Sequence, residues 1–420
     1  MHANATINWP MYHKDLSHTG YVPVNVTSVR PGWTSQGLDG AVYAEPLVMG
    51  NSVFVATENN SIYSLDAGNG SVNWRAHIGT PVAGDSLPCG NIDPSGITGT
   101  PAIDNSTRIL YAVAHLSGSL SHLLVGINID TGKVVLQRNI DPAGMDPVVQ
   151  QQRAALTVAN GIVYVPFGGL WGDCGDYLGW VVGVKPGDPG APLTTYKVPA
   201  DREAGFWATP GASVDREGHL YLASGNGASV VGYDHGNTIV KLSPTLQEAG
   251  SFAPSNWAIL NAEDTDVGSV SPAIVAPGLL FQIGKAGVGY LVNSTSLGGI
   301  GGQIFQGDVC SGSFGGTAYS PPYLFVPCTD GLYMLKVGKG SFSVAWHSEP
   351  FNAGSPIVTG GSVWVIDTSS ATLHVFNYLN GTEIFTAPLG SVPHFTTPAA
   401  GSGQVFTVSH DDQIASFELR

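Results

Sequence analysis

The sequence predicts an all-β chain closed into an eight-bladed β-propeller of four-stranded antiparallel blades. Three observations carry that prediction. A unit of roughly 40–60 residues, built from four short strands and tight turns, recurs about eight times. No segment longer than about 12 residues shows an apolar period of 3.6, which leaves helices marginal. The chain ends on a unit that lacks its fourth strand, while a strand without a unit stands near its start.

That early strand is Val29-Arg30-Pro31-Gly32-Trp33. The first full unit covers 44–74: a short strand after Glu45-Pro46, the alternating strand Val53-Phe54-Val55, the strand Ile62 to Leu65, an Asp-x-x-x-Gly turn, and a last strand carrying Trp74. Later units open near Thr100, Ala154, Thr209, Ser271, Thr317, Ser355 and Thr397. Several repeat the dipeptide Thr-Pro or Ser-Pro before the inner strand, and one ends on Trp346 as the first ends on Trp74. The last unit stops at Phe417-Glu418-Leu419. Pairing the early strand with this one completes the eighth blade and removes both open edges. Residues 1–28 are then an N-terminal extension, and 29–420 are one propeller domain.

Composition excludes several function classes. Of 420 residues only 11% are charged, against about 25% in a typical soluble domain. The net charge of −15 gives no footprint for a nucleic acid backbone. No apolar run reaches the roughly 18 residues of a spanning helix. The stretch from Ile274 to Gly284 is cut by Pro277 and Gly278. The opening Met1-His2-Ala3-Asn4 has neither the basic nor the apolar region of a signal peptide. Four cysteines allow three pairings. Asn-x-Ser/Thr triplets at Asn4, Asn25, Asn59, Asn69, Asn105, Asn293 and Asn380 exceed the roughly four expected by chance. Together with the sparse charge they suggest an extracellular or periplasmic glycoprotein.

The repeat L-D-A-x-x-G-x-x-x-W resembles the blades of the pyrroloquinoline quinone (PQQ) propeller superfamily, over residues 29–420. That superfamily includes PQQ-dependent alcohol dehydrogenases and cofactor-free assembly lipoproteins. Gly205-Phe206-Trp207-Ala208-Thr209-Pro210 is similar to the enzymes' segment holding the tryptophan beneath the quinone, and Ser224-Gly225-Asn226 to their calcium-ligating turn. Asp266 stands where their catalytic aspartate precedes an inner strand, and Lys285 where a basic residue reaches the quinone carbonyl. The resemblance implies Asp266 as base, Lys285 polarising the quinone, Trp207 stacking below it, and Asn226 with Asp176 holding Ca²⁺. The chain departs from the enzymes in two respects: where they carry two adjacent cysteines it reads Leu87-Pro88-Cys89-Gly90-Asn91, and where their glutamate ligand to calcium lies it reads Asp173-Cys174-Gly175-Asp176-Tyr177-Leu178-Gly179, with Asp176 as the substitute. It has no C-x-x-C-H haem motif, so an enzyme of this kind needs an external electron acceptor.

Each residue also has a plainer reading. Trp207 serves equally as a core tryptophan, Asn226 as a turn former, Lys285 as a solvated turn lysine, and Asp264 and Asp266 as loop caps. Glu45, Arg153 and His394 begin inner strands, where side chains converge on the axial funnel and a cofactor, small-molecule or protein ligand would sit. Glu45 and Arg153 could instead pair with each other, and His394 could be a satisfied buried histidine. Tyr233-Asp234-His235 reads as a turn. Cys89 with Cys174, and Cys310 with Cys328, read as structural disulfides. Three functions follow: a PQQ- and calcium-dependent oxidoreductase for alcohols or sugars, a cofactor-free binding or assembly scaffold, or a tetrathionate hydrolase-like enzyme.

Overall fold

Strands of two to eight residues, broken by glycine and Asx turns, bury both faces only if sheets stack against one another. The chain does this eight times. In a computed structural model, which describes residues 7–24 and 28–420, the second and third strands of blade 1 (Ser52–Ala56 and Ser61–Asp66) are almost wholly buried, while its fourth (Val72–His77) alternates with solvent. The Asn4 and Asn25 triplets fall outside the described residues.

Blade 1 starts at Leu47–Met49, blade 2 at Ala102–Asp104, blade 3 at Thr157–Ala159 and blade 4 at Ser213–Val214. Blades 5 to 8 start at Ala273–Ala276, Ala318–Ser320, Ile357–Thr359 and Ala399–Gly401. Blades 1, 2, 5, 6 and 8 are four-stranded, whereas blades 3, 4 and 7 each carry a two-residue addition. Val29–Thr34 pairs antiparallel with Gln413–Leu419, Val29 opposite Leu419, so the eighth blade is closed by the N-terminal strand as its sequence predicts. The single α-helix among the described residues is Trp257–Ala262.

The repeat motif has a physical cause. Its tryptophan reaches from a fourth strand to the turn of the next blade: Trp33 Nε1 donates to Ala67 O (2.9 Å), Trp74 Nε1 to Ile129 O (3.0 Å), and Trp346 Nε1 to Tyr378 O (3.2 Å). The turn glycines Gly70, Gly132 and Gly381 lie against these rings at positive φ, and a Cβ on any of them would meet the indole within 3 Å. Leu-Asp-Ala, Gly and Trp therefore form one latch between neighbouring blades.

The described part of the N-terminal extension lies inside the ring. Residues 7–22 wind past the innermost strands. Trp9 bridges Val48 of blade 1, Pro10 O accepts from Ile103 N of blade 2, and Leu16 O from Val214 N of blade 4. Thr19 O accepts from Tyr319 N of blade 6, and Tyr21–Val22 pairs parallel with blade 7. Trp9, Tyr12 and His13 are at most 1% exposed. Backbone groups that inner strands would otherwise turn toward an empty channel are thus satisfied, and the channel is stoppered.

Candidate functional site

On one face the loops before the inner strands, and those between second and third strands, enclose a cavity of about 560 Å³. This lies in the usual size range for small-molecule sites. Seven residues singled out in the sequence line it: Arg153, Trp207, Asn226, Asp264, Asp266, Lys285 and His394. They come from the openings of blades 3, 4, 5 and 8 and from the second-to-third strand loops of blades 4 and 5.

Asp266 is 3% exposed and organises one end. Its Oδ2 lies 2.8 Å from Lys285 Nζ, and its Oδ1 accepts from Asn226 N at 2.5 Å. Lys285 Nζ also meets Asp264 Oδ1 at 2.8 Å and stands 5.8 Å from the centroid of the Trp207 ring. Burial raises the Asp266 carboxyl above the ordinary range, opposed by the Lys285 ammonium and the Asn226 N–H. Burial works to lower the Lys285 pKa, but Asp266 and Asp264 outweigh it, so the amine is held protonated. Gly225 makes this meeting possible, since a Cβ there would lie 2.8 Å from Trp207 Nε1 and 3.1 Å from Asp266 Oδ1.

The cavity also carries Arg153, His394 and Phe395, with the His394 ring edge-on to Tyr43 at 5.1 Å. Burial, then the charge of Arg153, lowers the His394 pKa to about 4, so this imidazole is neutral at pH 7. Cys89 and Cys174 form a disulfide, as do Cys310 and Cys328. The first ties the loop after blade 1 to the loop Leu170–Cys174, whose exposed Trp171 forms the pocket rim.

Two expected residues are absent from this cavity. Asp176 is exposed and does not line it; Asp173, three residues earlier, does, accepting from Tyr177 Oη at 2.6 Å. Glu45 sits beneath the pocket, its carboxyl bound by Trp9 Nε1 (3.1 Å) and His13 N (2.8 Å) and not by Arg153. Burial drives its pKa well upward. Residues that sequence reasoning missed are Asp173 and Glu203, the latter accepting from Asn226 Nδ2 at 3.2 Å. Glu203 stands four residues before Trp207, just outside the singled-out segment Gly205 to Pro210, and that proximity was the available signal. Asp234 caps Ser229 N and Gly236 N, so Tyr233-Asp234-His235 is a turn.

A larger cavity, about 940 Å³, lies on the opposite face beside blades 4 to 6. It holds Asp215, Glu217 and His219 close together. Asp215 caps that turn by accepting from Glu217 N, His219 N and Tyr221 Oη, which accounts for the cluster as a turn device.

Beside the pocket, Glu58 is 2% exposed and accepts from Gly96 N at 2.6 Å and Thr98 Oγ1 at 3.1 Å. Burial pushes its carboxyl from 4.5 to about 7, against those two donors and Arg153. The folded chain therefore keeps a proton that the unfolded chain has released. That contribution is complete below pH 4.5 and is lost as pH rises to about 7. Glu58→Gln cannot ionise, so its stability relative to wild type should rise by about 3 kcal/mol between pH 4 and 8 in denaturant titrations. A difference independent of pH would show that Glu58 ionises as in water.

The comparisons agree with this architecture. The family model described as outer membrane protein assembly factor BamB matches residues 24–173. Quinate/shikimate dehydrogenase (quinone) of Acinetobacter baylyi is 24% identical over 155 residues, 31% of this chain and 19% of that protein, so the match spans about a fifth of the relative. A quinohemoprotein alcohol dehydrogenase from Pseudomonas putida HK5 superposes with a TM-score of 0.77 at 13% identity, covering 98% of this chain and 80% of the other. A europium-containing methanol dehydrogenase gives 0.74 at 14% identity and 99% of both chains. At such identities these structures speak for the fold alone. The repeat, the family match over 24–173 and the eight-bladed fold together support a PQQ-type β-propeller.

Proposed function

We propose that the pocket is the reaction site of a PQQ-dependent oxidoreductase acting on an alcohol or sugar outside the cytoplasm. One observation carries the reading: a buried aspartate, held between Lys285 Nζ and Asn226 N, faces the same cavity as the Trp207 ring over which that lysine stands. The residues suit a flat quinone. Trp207 offers a face, flanked by Phe314 and Phe395 at ring-centroid distances of 6.3 Å, and Lys285 offers a cation beside it. Calcium would be held by Asn226 with Glu203 and Asp173. Glu203 is shifted upward by burial, opposed by Arg202, and upward again by the neighbouring acids Asp173, Asp264 and Asp234, crowding that a divalent cation relieves.

Within this site Asp266 accepts the proton of the substrate hydroxyl at Oδ2 or Oδ1. Lys285 orients that carboxylate and keeps a positive charge at the ring face. The loop Leu170–Cys174, fixed by its disulfide, shields the cavity from bulk water. The quinone, when bound, supplies the electron sink for the hydride. The two disulfides support an oxidising compartment, and among the described residues no helix is long and apolar enough to cross a membrane.

Titrating PQQ with Ca²⁺ into the protein should quench tryptophan fluorescence at micromolar quinone, and dye reduction with alcohols should follow. No quench and no reduction would overturn the reading. A binding scaffold is the second reading, favoured by the assembly-factor family match over 24–173.

A further inference from the structure

The pocket holds one charge that its own residues leave unanswered. Arg153 is 8% exposed and is the one buried arginine among the described residues. Its Nη2 donates to Gln151 Oε1 at 2.9 Å and its guanidinium lies 5.8 Å from the Phe395 centroid, yet its Nε finds no acceptor. Among the described residues no carboxylate comes within 4 Å of it, whereas Lys285 in the same cavity has two. Tyr43, Glu58 and Asp173 face it from farther away, and His394 beside it is neutral with its buried Nε2 also unpartnered. A guanidinium taken out of water without a counter-charge is unfavourable. Its planar fork is suited to a carboxylate.

We propose that the pocket selects an acidic ligand, a hydroxy carboxylate whose carboxylate is received by Arg153 while its hydroxyl faces Asp266. The assignment rests on the reading of this cavity as the reaction site and needs no bound quinone. Orientation follows from charge. Lys285 is already held by Asp264 and Asp266, whereas Arg153 has no carboxylate within 4 Å among the described residues, so the ligand's carboxylate goes to Arg153 and its hydroxyl to Asp266.

The test compares matched acid and neutral probes on the full chain without quinone: gluconate against glucose, and lactate against propane-1,2-diol, at constant ionic strength. Gluconate and lactate should raise the melting midpoint and bind in calorimetry, and their neutral partners should not. Arg153→Met and Arg153→Gln should melt at or above wild type without ligand, because an unpaired buried charge has been removed. Both should bind the acids about 10- to 100-fold more weakly. Four outcomes would overturn the proposal: equal effects of glucose and gluconate, full reproduction of the gluconate effect by chloride, a marked loss of stability in Arg153→Met without ligand, or disappearance of the gluconate effect once PQQ is bound. The last would give Arg153 to the quinone's own acid groups. Failure of PQQ to bind, with the gluconate response intact, would sink the quinone reading and leave this one standing.

Discussion

Asp266→Asn should lower turnover by about 10²- to 10⁴-fold while leaving the pocket assembled. The amide keeps an oxygen that can accept the Asn226 N–H, and Lys285 keeps Asp264 at 2.8 Å. The Trp207 face and the cation beside it therefore remain, and PQQ affinity, read from tryptophan quenching, should change by less than about tenfold. What disappears is the one fully buried carboxylate among the described residues that line this cavity: Asp264 is mostly exposed and Asp173 is half-buried and engaged by Tyr177. The diagnostic pattern is thus a large loss of kcat with a small change in quinone binding. Turnover within tenfold of wild type would remove Asp266 from proton transfer. A parallel loss of quinone affinity would make it a positioning residue for Lys285.

The fold was legible because its signal is redundant. The Trp and the turn Gly report one latch, seen at Trp33, Trp74 and Trp346, and its recurrence gives the period. The same turn chemistry blurred a second signal. Asn69, Asn293 and Asn380 each accept from the backbone N–H two residues on, at 2.8, 2.8 and 3.0 Å. Asx turns that end on Ser or Thr spell Asn-x-Ser/Thr, so part of the excess of glycosylation triplets is explained by turns.

The site was legible only where side chains occupy equivalent places in successive repeats. Trp207 and Asp266 both precede inner strands, and Asn226 and Lys285 both follow second strands, so propeller symmetry brings them together whatever their function. Asp176 was misplaced because the loop after Gly169 has no repeat to fix its register. Its disulfide and a positive φ of 52° at Asp173 set which acid turns inward. Glu45 begins an inner strand as expected, yet an indole from the N-terminal segment covers it. Nothing in a repeat can announce a segment that does not repeat.

That segment carries the other large effect. Trp9→Ala should destabilise the protein by about 3–5 kcal/mol from lost packing and the cavity left behind. Trp9 is fully buried, joins the core around blades 1 and 8, and is the indole donor to Glu45 Oε1. Its removal leaves a buried carboxyl oxygen short of a partner, which adds about 1–3 kcal/mol. Trp9→Phe separates the two contributions, keeping most of the volume and losing the donor, so it should show mainly the smaller loss. Denaturant titration with an unchanged m-value is the measurement. The effect should reach the pocket as well, because Glu45, Tyr12 and Arg153 line one small chamber beneath it. A stopper that loosens at Trp9 frees Tyr12 to move and opens the pocket floor, and gluconate binding should weaken even though Trp9 touches no ligand. A loss below about 1 kcal/mol in Trp9→Ala would mean the segment merely wraps a ring that is already closed.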